Sequence, residues 1–456
     1  MAYSSATQKR LLEMLEAQFN QFHTELDCRA VISNDTTLEP LSLPTHGMGV
    51  EQLCMHFNDQ VAPKLSASNG GRYWGFVTGG ANPTATLADW FVTVFNQNVS
   101  KGGDSVASQL ERQTIDWLRT LFYLPDSFTG LFTTGATAAN LLGALTARQF
   151  IGAQQGVDVA QQGMAGLDVM IYAASPHASM IKSLGMAGFG QQNWQCVDTL
   201  QDTEAMCIDS LATHLSRCDS RGKIVIASAA TVTGTDYDDL IAISRLCEAH
   251  GAWLHVDAAF GIFERLMNGP EHKTNGIEFA DSITLDCHKW LNVPYDCGVF
   301  LTRQPNHLVA TCHVDAPYLA SSAQNQDYMS MGIENSRRFR ALPVWATLLS
   351  YGRQGITAHI QSNVDLAQAL ASWLENSQYY VLLKPCELNV VLFKPGDMHV
   401  LQEVGLCLDA INQSGKVFMT PGVWQGEHII RAAFSNWETT TEDLLCVIEL
   451  LDSLAK

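Results

Sequence analysis

Lys289 stands in "DCHKW" between His288 and Trp290, and an ammonium group so strongly hydrated is placed among apolar neighbours at a cost. Its surroundings in sequence suggest a use. Asp257 follows the apolar run "WLHV", His177 follows "VMIYAASP", Ser228 ends "KIVIAS", and "TTGATAAN" spans a glycine turn with Thr137. Each has a plain structural reading: a surface lysine with its stem buried, a buried helix cap, a hydrogen-bonded histidine, a capped tight turn. The turn reads equally as an anion nest, in which backbone N–H groups, the Thr137 hydroxyl and a helix N-terminus converge on phosphate. Together, an amine nucleophile, a carboxylate, a flat imidazole and a phosphate nest match the needs of pyridoxal phosphate. Lysine forms the Schiff base, burial near other cations favours its neutral amine, the carboxylate keeps a pyridine nitrogen protonated, and imidazole stacks on a ring face.

These residues need a scaffold that brings them to one edge. From about residue 128 to 303, short apolar runs alternate with helical ones: "GLFTT" before "NLLGALTARQF", "VMIYAA", "KIVIASAA" before "DLIAISRLCEAHG", then "AWLHVDAAFG", "SITLDCHK" and "CGVFLTR". That alternation predicts an α/β fold with a large, mostly parallel sheet covered by helices. Ligands of such sheets bind beyond the carboxyl ends of the strands, where all the residues above fall. Leu11, Leu12, Met14, Leu15 and Phe19 predict an amphipathic first helix. "HVDAPYLASSAQNQDYMSMGIEN" (313–335) lacks periodicity and reads as a long, lid-like loop. Beyond about residue 355, "VVLF" and "HIIRAAF" predict strands of a smaller C-terminal α+β unit. The expected organisation is an N-terminal helical segment (1–65), a large cofactor domain (66–350) and a small domain (351–456).

Composition narrows the function classes. A formal net charge of −19 with no Lys/Arg run argues against nucleic-acid and anionic-membrane partners. Twelve cysteines without a C-x-x-C pair give little support to a metal site or disulfide framework and fit a reducing cytoplasm. No segment reads as a signal peptide or membrane span, so a soluble, unprocessed, cytoplasmic protein is expected.

"HVDAAFG" followed by "CHKW", with Lys289 32 residues after Asp257, resembles the pyridoxal-phosphate-dependent amino-acid decarboxylases related to the glutamate, aromatic-amino-acid and diaminobutyrate enzymes. The resemblance extends through "RYWGFVTGGANPTATLADW", "SRRFRALPVW" and "IIRAAFSNW". It implies the aspartate-aminotransferase fold and a homodimer with the active site at the interface, the lid supplied across it and the first helix on the partner. By position it implies Lys289 as the Schiff-base residue, Asp257 at the pyridine nitrogen, and Ala259 on the ring face opposite His177. Ala136, Thr137, Ala138 and His288 would hold phosphate, with Ser228 where familiar members carry threonine. Arg431 would bind the substrate α-carboxylate, Tyr73, Trp74 and Phe76 would line the substrate pocket or fill core, and Tyr328 or Tyr318 on the loop would return a proton to Cα. Asp286 and Cys287 depart from the asparagine and proline of some members, which leaves the phosphate shell open. The implied reaction is decarboxylation of an L-amino acid to an amine. Aminotransfer, a desulfurase-like lyase using Cys312, and a non-catalytic relative are the rival readings, and the last has no need of Asp257, His288 and Lys289.

Overall fold

The computed structural model describes residues 5–26, 28–267, 269, 271–313 and 327–456. Eleven strands are found among them: β1 (Thr129–Thr133), β2 (Val169–Ala173), β3 (Gln195–Cys196), β4 (Gly222–Ser228), β5 (Trp253–Asp257), β6 (Ser282–Asp286), β7 (Gly298–Thr302), β8 (Tyr380–Leu382), β9 (Val390–Pro395), β10 (Thr420–Trp424) and β11 (Glu427–Ala433). The first seven form one sheet in the order β1-β7-β6-β5-β4-β2-β3, and the last four a second in the order β10-β11-β9-β8. In the large sheet β3, β2, β4, β5 and β6 run parallel, while β7 is antiparallel to both β6 and β1. This is an α/β architecture of the aspartate-aminotransferase kind. Its central strands are buried along their length, with β5, β6 and β7 buried at every position, as unbroken apolar runs covered by helices on both faces require.

The first five α-helices are α1 (Ser5–Glu25), α2 (Gly49–His56), α3 (Pro83–Phe95), α4 (Ala107–Leu121) and α5 (Ala136–Gln154), of which α5 reaches the site. The first confirms an amphipathic N-terminal helix. In α3, Pro83 takes the first helical position and the Asn82 side chain caps the helix by accepting from the Ala85 N–H at 2.8 Å. Among the described residues no helix is long and apolar enough to cross a membrane.

The expected domain edge at 350/351 falls inside one long helix, Ala341–Glu375, next to its kink at Gly352 (φ 58°). A second difference concerns residues 72–75, expected in the large domain. Trp74 is fully buried, its ring 4.3 Å from that of Phe434, its N–H donating to the Phe418 carbonyl and its carbonyl accepting from Ala433. The segment therefore joins the small-domain core, because Trp74 packs on Phe434, just past β11, and Tyr73 on Phe418, just before β10. Of the expected lid, residues 314–326 lie outside the described residues, and Tyr318 with them.

Candidate active site

The carboxyl ends of β1, β2, β4, β5 and β6 open into a cavity of about 280 Å³. Thr137, His177, Ser228, Asp257, Ala259, His288 and Lys289 all line it, with Ala136, Ala138, Thr231, Val232 and Asp286. The sequence-derived set thus converges as the strand-end rule requires.

Helix α5 starts at the cavity from Gly135, whose φ of 129° lies in a region L side chains rarely adopt. A Cβ there would also lie 3.1 Å from the His288 ring. The phosphate nest is narrower than expected. The Ala136 N–H donates to Asp286 Oδ1 at 2.6 Å, and the Ala138 and Ala139 N–H groups both donate to the Gly135 carbonyl. Thr137 is left, among the described residues, as the first-turn amide with no protein acceptor, beside its own hydroxyl. His288 adds a donor: its Nδ1 accepts the Cys297 N–H at 3.1 Å, so Nε2 carries the hydrogen. Burial holds this imidazole below its usual range and so neutral.

The Lys289 ammonium lies 3.4 Å from Asp286 Oδ2 and over the Phe260 ring at 5.6 Å. Its close partner is an anion, contrary to the expected cationic neighbours. Asp286 is almost wholly buried and also lies 3.6 Å from His288 Nε2. One carboxylate therefore caps α5, pairs with the lysine and faces the imidazole.

Asp257, at the end of β5, accepts from the Ala259 N–H at 3.2 Å and from Asn140 Nδ2 at 2.9 Å. His177 caps the helix Ala178–Met186, its Nδ1 accepting from the Ser179 N–H at 3.2 Å. Burial lowers its pKa, which leaves a neutral ring beside the cavity. Asn140, Ser179 and His255 were not singled out in the sequence, although His255 stands two residues before Asp257 and so shares its face of β5.

Arg431 on β11 is 5% exposed. It donates to the carbonyl of Val232, a cavity-lining residue, and reaches Thr420 Oγ1 at 3.5 Å, while its Nε has no acceptor. Burial pushes its pKa down to about 10, so it remains a cation at neutral pH. Three expected residues lie elsewhere. Trp74 is core. Phe76 is 56% exposed with φ 61°, its ring 6.1 Å from Phe418, and it does not touch this cavity within one chain. Tyr328 is fully buried under Arg337, whose guanidinium lies 4.8 Å from the ring centre and pairs with Glu111. It does not line the cofactor cavity of its own chain, and its hydroxyl makes no hydrogen bond there. Cys312 is also away from the cavity, and burial raises its pKa to about 12, which removes the reactive thiolate a desulfurase needs. Tyr295 was overlooked: its ring stands 4.5 Å from that of His288.

The donor set fits pyridoxal phosphate: an open helix-start amide, a hydroxyl and an N–H for phosphate, a hydrogen-bonded carboxylate for the ring nitrogen, an imidazole at the cavity wall and an amine. Comparison with known proteins agrees. The family model described as pyridoxal-dependent decarboxylase conserved domain matches residues 33–395. The aromatic-L-amino-acid decarboxylase of Bacillus atrophaeus is 28% identical over 429 residues, 91% of this chain and 87% of that protein. The L-2,4-diaminobutyrate decarboxylase of Acinetobacter baumannii is 29% identical over 328 residues, covering 68% and 64%. The solved structure of Oryza sativa TDC with PLP and tryptamine superposes with a TM-score of 0.92 over 100% of this chain and 99% of that one, at 21% identity, a likeness of fold. The chain belongs to the pyridoxal-dependent decarboxylase family and is a pyridoxal-phosphate-dependent carboxy-lyase acting on an L-amino acid.

Proposed function

We propose that the amino acid decarboxylated here carries an aromatic side chain, and that it is held between Arg431 and a rim of aromatic rings. The observation that carries this reading is a pair of rings beside the cavity: Tyr295 against His288 at 4.5 Å, and Tyr73 packed on Phe418 at 4.9 Å. Such rings bind a flat apolar substituent by offset or edge contacts. Relatives named aromatic-L-amino-acid decarboxylase point the same way.

The residues divide the work as follows. Lys289 would supply the amine that holds the cofactor covalently. Thr137 and His288 hold phosphate. Asp257 would hold the ring nitrogen in its protonated form, and Ala259, His177 and Ser228 would wall the ring. When bound, pyridoxal phosphate supplies an electron sink for the pair left behind when carbon dioxide departs. Arg431 anchors the substrate carboxylate and so fixes which bond of Cα is presented to the ring. Release of carbon dioxide from L-tryptophan, L-tyrosine and L-phenylalanine, compared with L-glutamate and L-2,4-diaminobutyrate, tests the reading; preference for either of the last two would reject it.

We further propose that the enzyme works as a homodimer. Leu87, Phe91, Val94 and Phe95 leave an apolar face exposed on α3, and a cavity of about 790 Å³ bounded by Phe19, Phe22 and Trp90 adjoins it. Isolated leucines need no explanation, but a contiguous face of this kind marks an interface. A fully active monomer by light scattering would refute the dimer.

A further inference from the structure

The series of side chains behind Asp257 has a direction. The inference rests on the reading of Asp257 as partner of the ring nitrogen. A carboxylate only accepts, so the Asn140 atom 2.9 Å from Asp257 Oδ2 is its NH2 group, and its carbonyl oxygen turns to His255 Nε2 at 3.0 Å. His255 Nε2 must then carry the hydrogen, and Nδ1 accepts the Ser282 hydroxyl at 2.8 Å. Ser282 Oγ in turn lies 3.2 Å from the indole N–H of Trp253, which can only donate. Every hydrogen in the run Trp253, Ser282, His255, Asn140 points toward Asp257.

The second hydrogen of the same Asn140 amide goes to Ser179 Oγ at 3.1 Å. Ser179 therefore directs its own O–H to His177 Nδ1 at 2.7 Å, and His177 turns an Nε2–H, not a lone pair, away from this network. Space for the arrangement is reserved in α5: a Cβ on Gly143 would lie 2.5 Å from His255 Cε1. His255 is wholly buried, and burial lowers its pKa to about 4, so it stays neutral and the direction of the series is kept at working pH.

We propose that Asn140 is a positioning residue for the decarboxylation: one amide orients both Asp257 and His177, and the His255, Ser282, Trp253 series fixes which way that amide faces. Asn140 does not line the cavity; it acts through two residues that do. Loss of a hydrogen bond to an ionised partner corresponds to about a 10- to 100-fold effect.

The test uses the full chain loaded with pyridoxal phosphate labelled with nitrogen-15 in the ring. In wild type the ring-nitrogen shift should be that of the protonated form. In Asn140→Ala it should move toward the unprotonated value, with kcat lower by about 10- to 100-fold and KM within about threefold. An unmoved shift with kcat within threefold overturns the proposal. Should Asn140→Ala fail to fold, His255 decides: His255→Gln, whose amide can still donate to Asn140, should keep kcat within about threefold, while His255→Leu should lose about tenfold. Equal rates in those two variants would likewise overturn it. Asp257→Ala separates the underlying reading: a ring nitrogen still protonated there would remove Asp257 from its role, and the proposal with it, whatever Asn140 does.

Discussion

Replacing Arg431 should cost carboxylate recognition and leave recognition of the amine product intact. The guanidinium is 5% exposed, makes no ion pair among the described residues, and spends donors only on the Val232 carbonyl and, weakly, on Thr420. Its Nε has no acceptor. Two unspent donors meeting a carboxylate in a dry site are worth about 1.5–3 kcal/mol each, which sets the loss in Arg431→Met at roughly 10²- to 10⁴-fold in kcat/KM. Arg431→Lys keeps charge but loses the planar fork, so an intermediate loss of about 10- to 100-fold is expected. The assay pairs carbon dioxide release with inhibition by the amine product, which has lost the carboxylate. The inhibition constant should move by less than about threefold while substrate KM rises. Equal weakening of both, or kcat/KM within threefold of wild type in Arg431→Met, would refute the role and leave Arg431 as a tie between β11 and the 229–238 loop.

Lys289→Ala should fold normally but lose the borohydride-reducible link to the cofactor, read by mass spectrometry after reduction; a retained link would assign the Schiff base to another lysine. Asp286→Asn should keep the cap on Ala136, since an amide oxygen still accepts, and bind inorganic phosphate more tightly, because a resident anion beside the nest is gone; unchanged or weaker phosphate binding in a competition titration counts against this. Trp74→Ala should lower stability by about 3–5 kcal/mol in denaturant unfolding without changing substrate preference, as expected of core. Acid should destabilise the fold. Buried His255 and part-buried His359 have folded pKa values of about 4 against 6.5, so below pH 6.5 the unfolded chain takes up protons first and each site costs up to about 3 kcal/mol by pH 4. Asp238, raised to about 6, works in the opposite sense by about 2–3 kcal/mol between pH 6 and 4, leaving a net loss of about 3–4 kcal/mol, measurable as a falling Tm.

The cofactor end of the site was legible because it is built from local signals. Each residue there follows its own apolar run, and a parallel sheet gathers strand ends without regard to how far apart they are in sequence. Spacing also named Lys289 and Asp257 through the family pattern. What escaped notice depends on side chains meeting across elements: Asn140 from α5, Ser179 from a helix start, His255 from β5 and Ser282 from β6. No one-dimensional pattern pairs an asparagine with a histidine 115 residues away. His255 was the exception that could have been found, through its shared strand face with Asp257.

The substrate end was misjudged for a related reason. "RYWGF" is one aromatic run, yet its members separate: Trp74 turns into the small-domain core and Phe76, at positive φ, turns outward. A period-two strand would have put both on one face, and the short bridge of Tyr73 with Phe418 does not extend that far. The ring that packs on a cavity residue, Tyr295 against His288, comes instead from the turn between β6 and β7. On the proposed reading, cofactor binding is governed by the large sheet, whereas the substrate would meet Tyr295 from that turn, Tyr73 and Arg431 of β11. Changes in substrate preference should therefore arise from substitutions on the small-domain side of the cavity, with the Asp257, His288 and Lys289 frame left untouched.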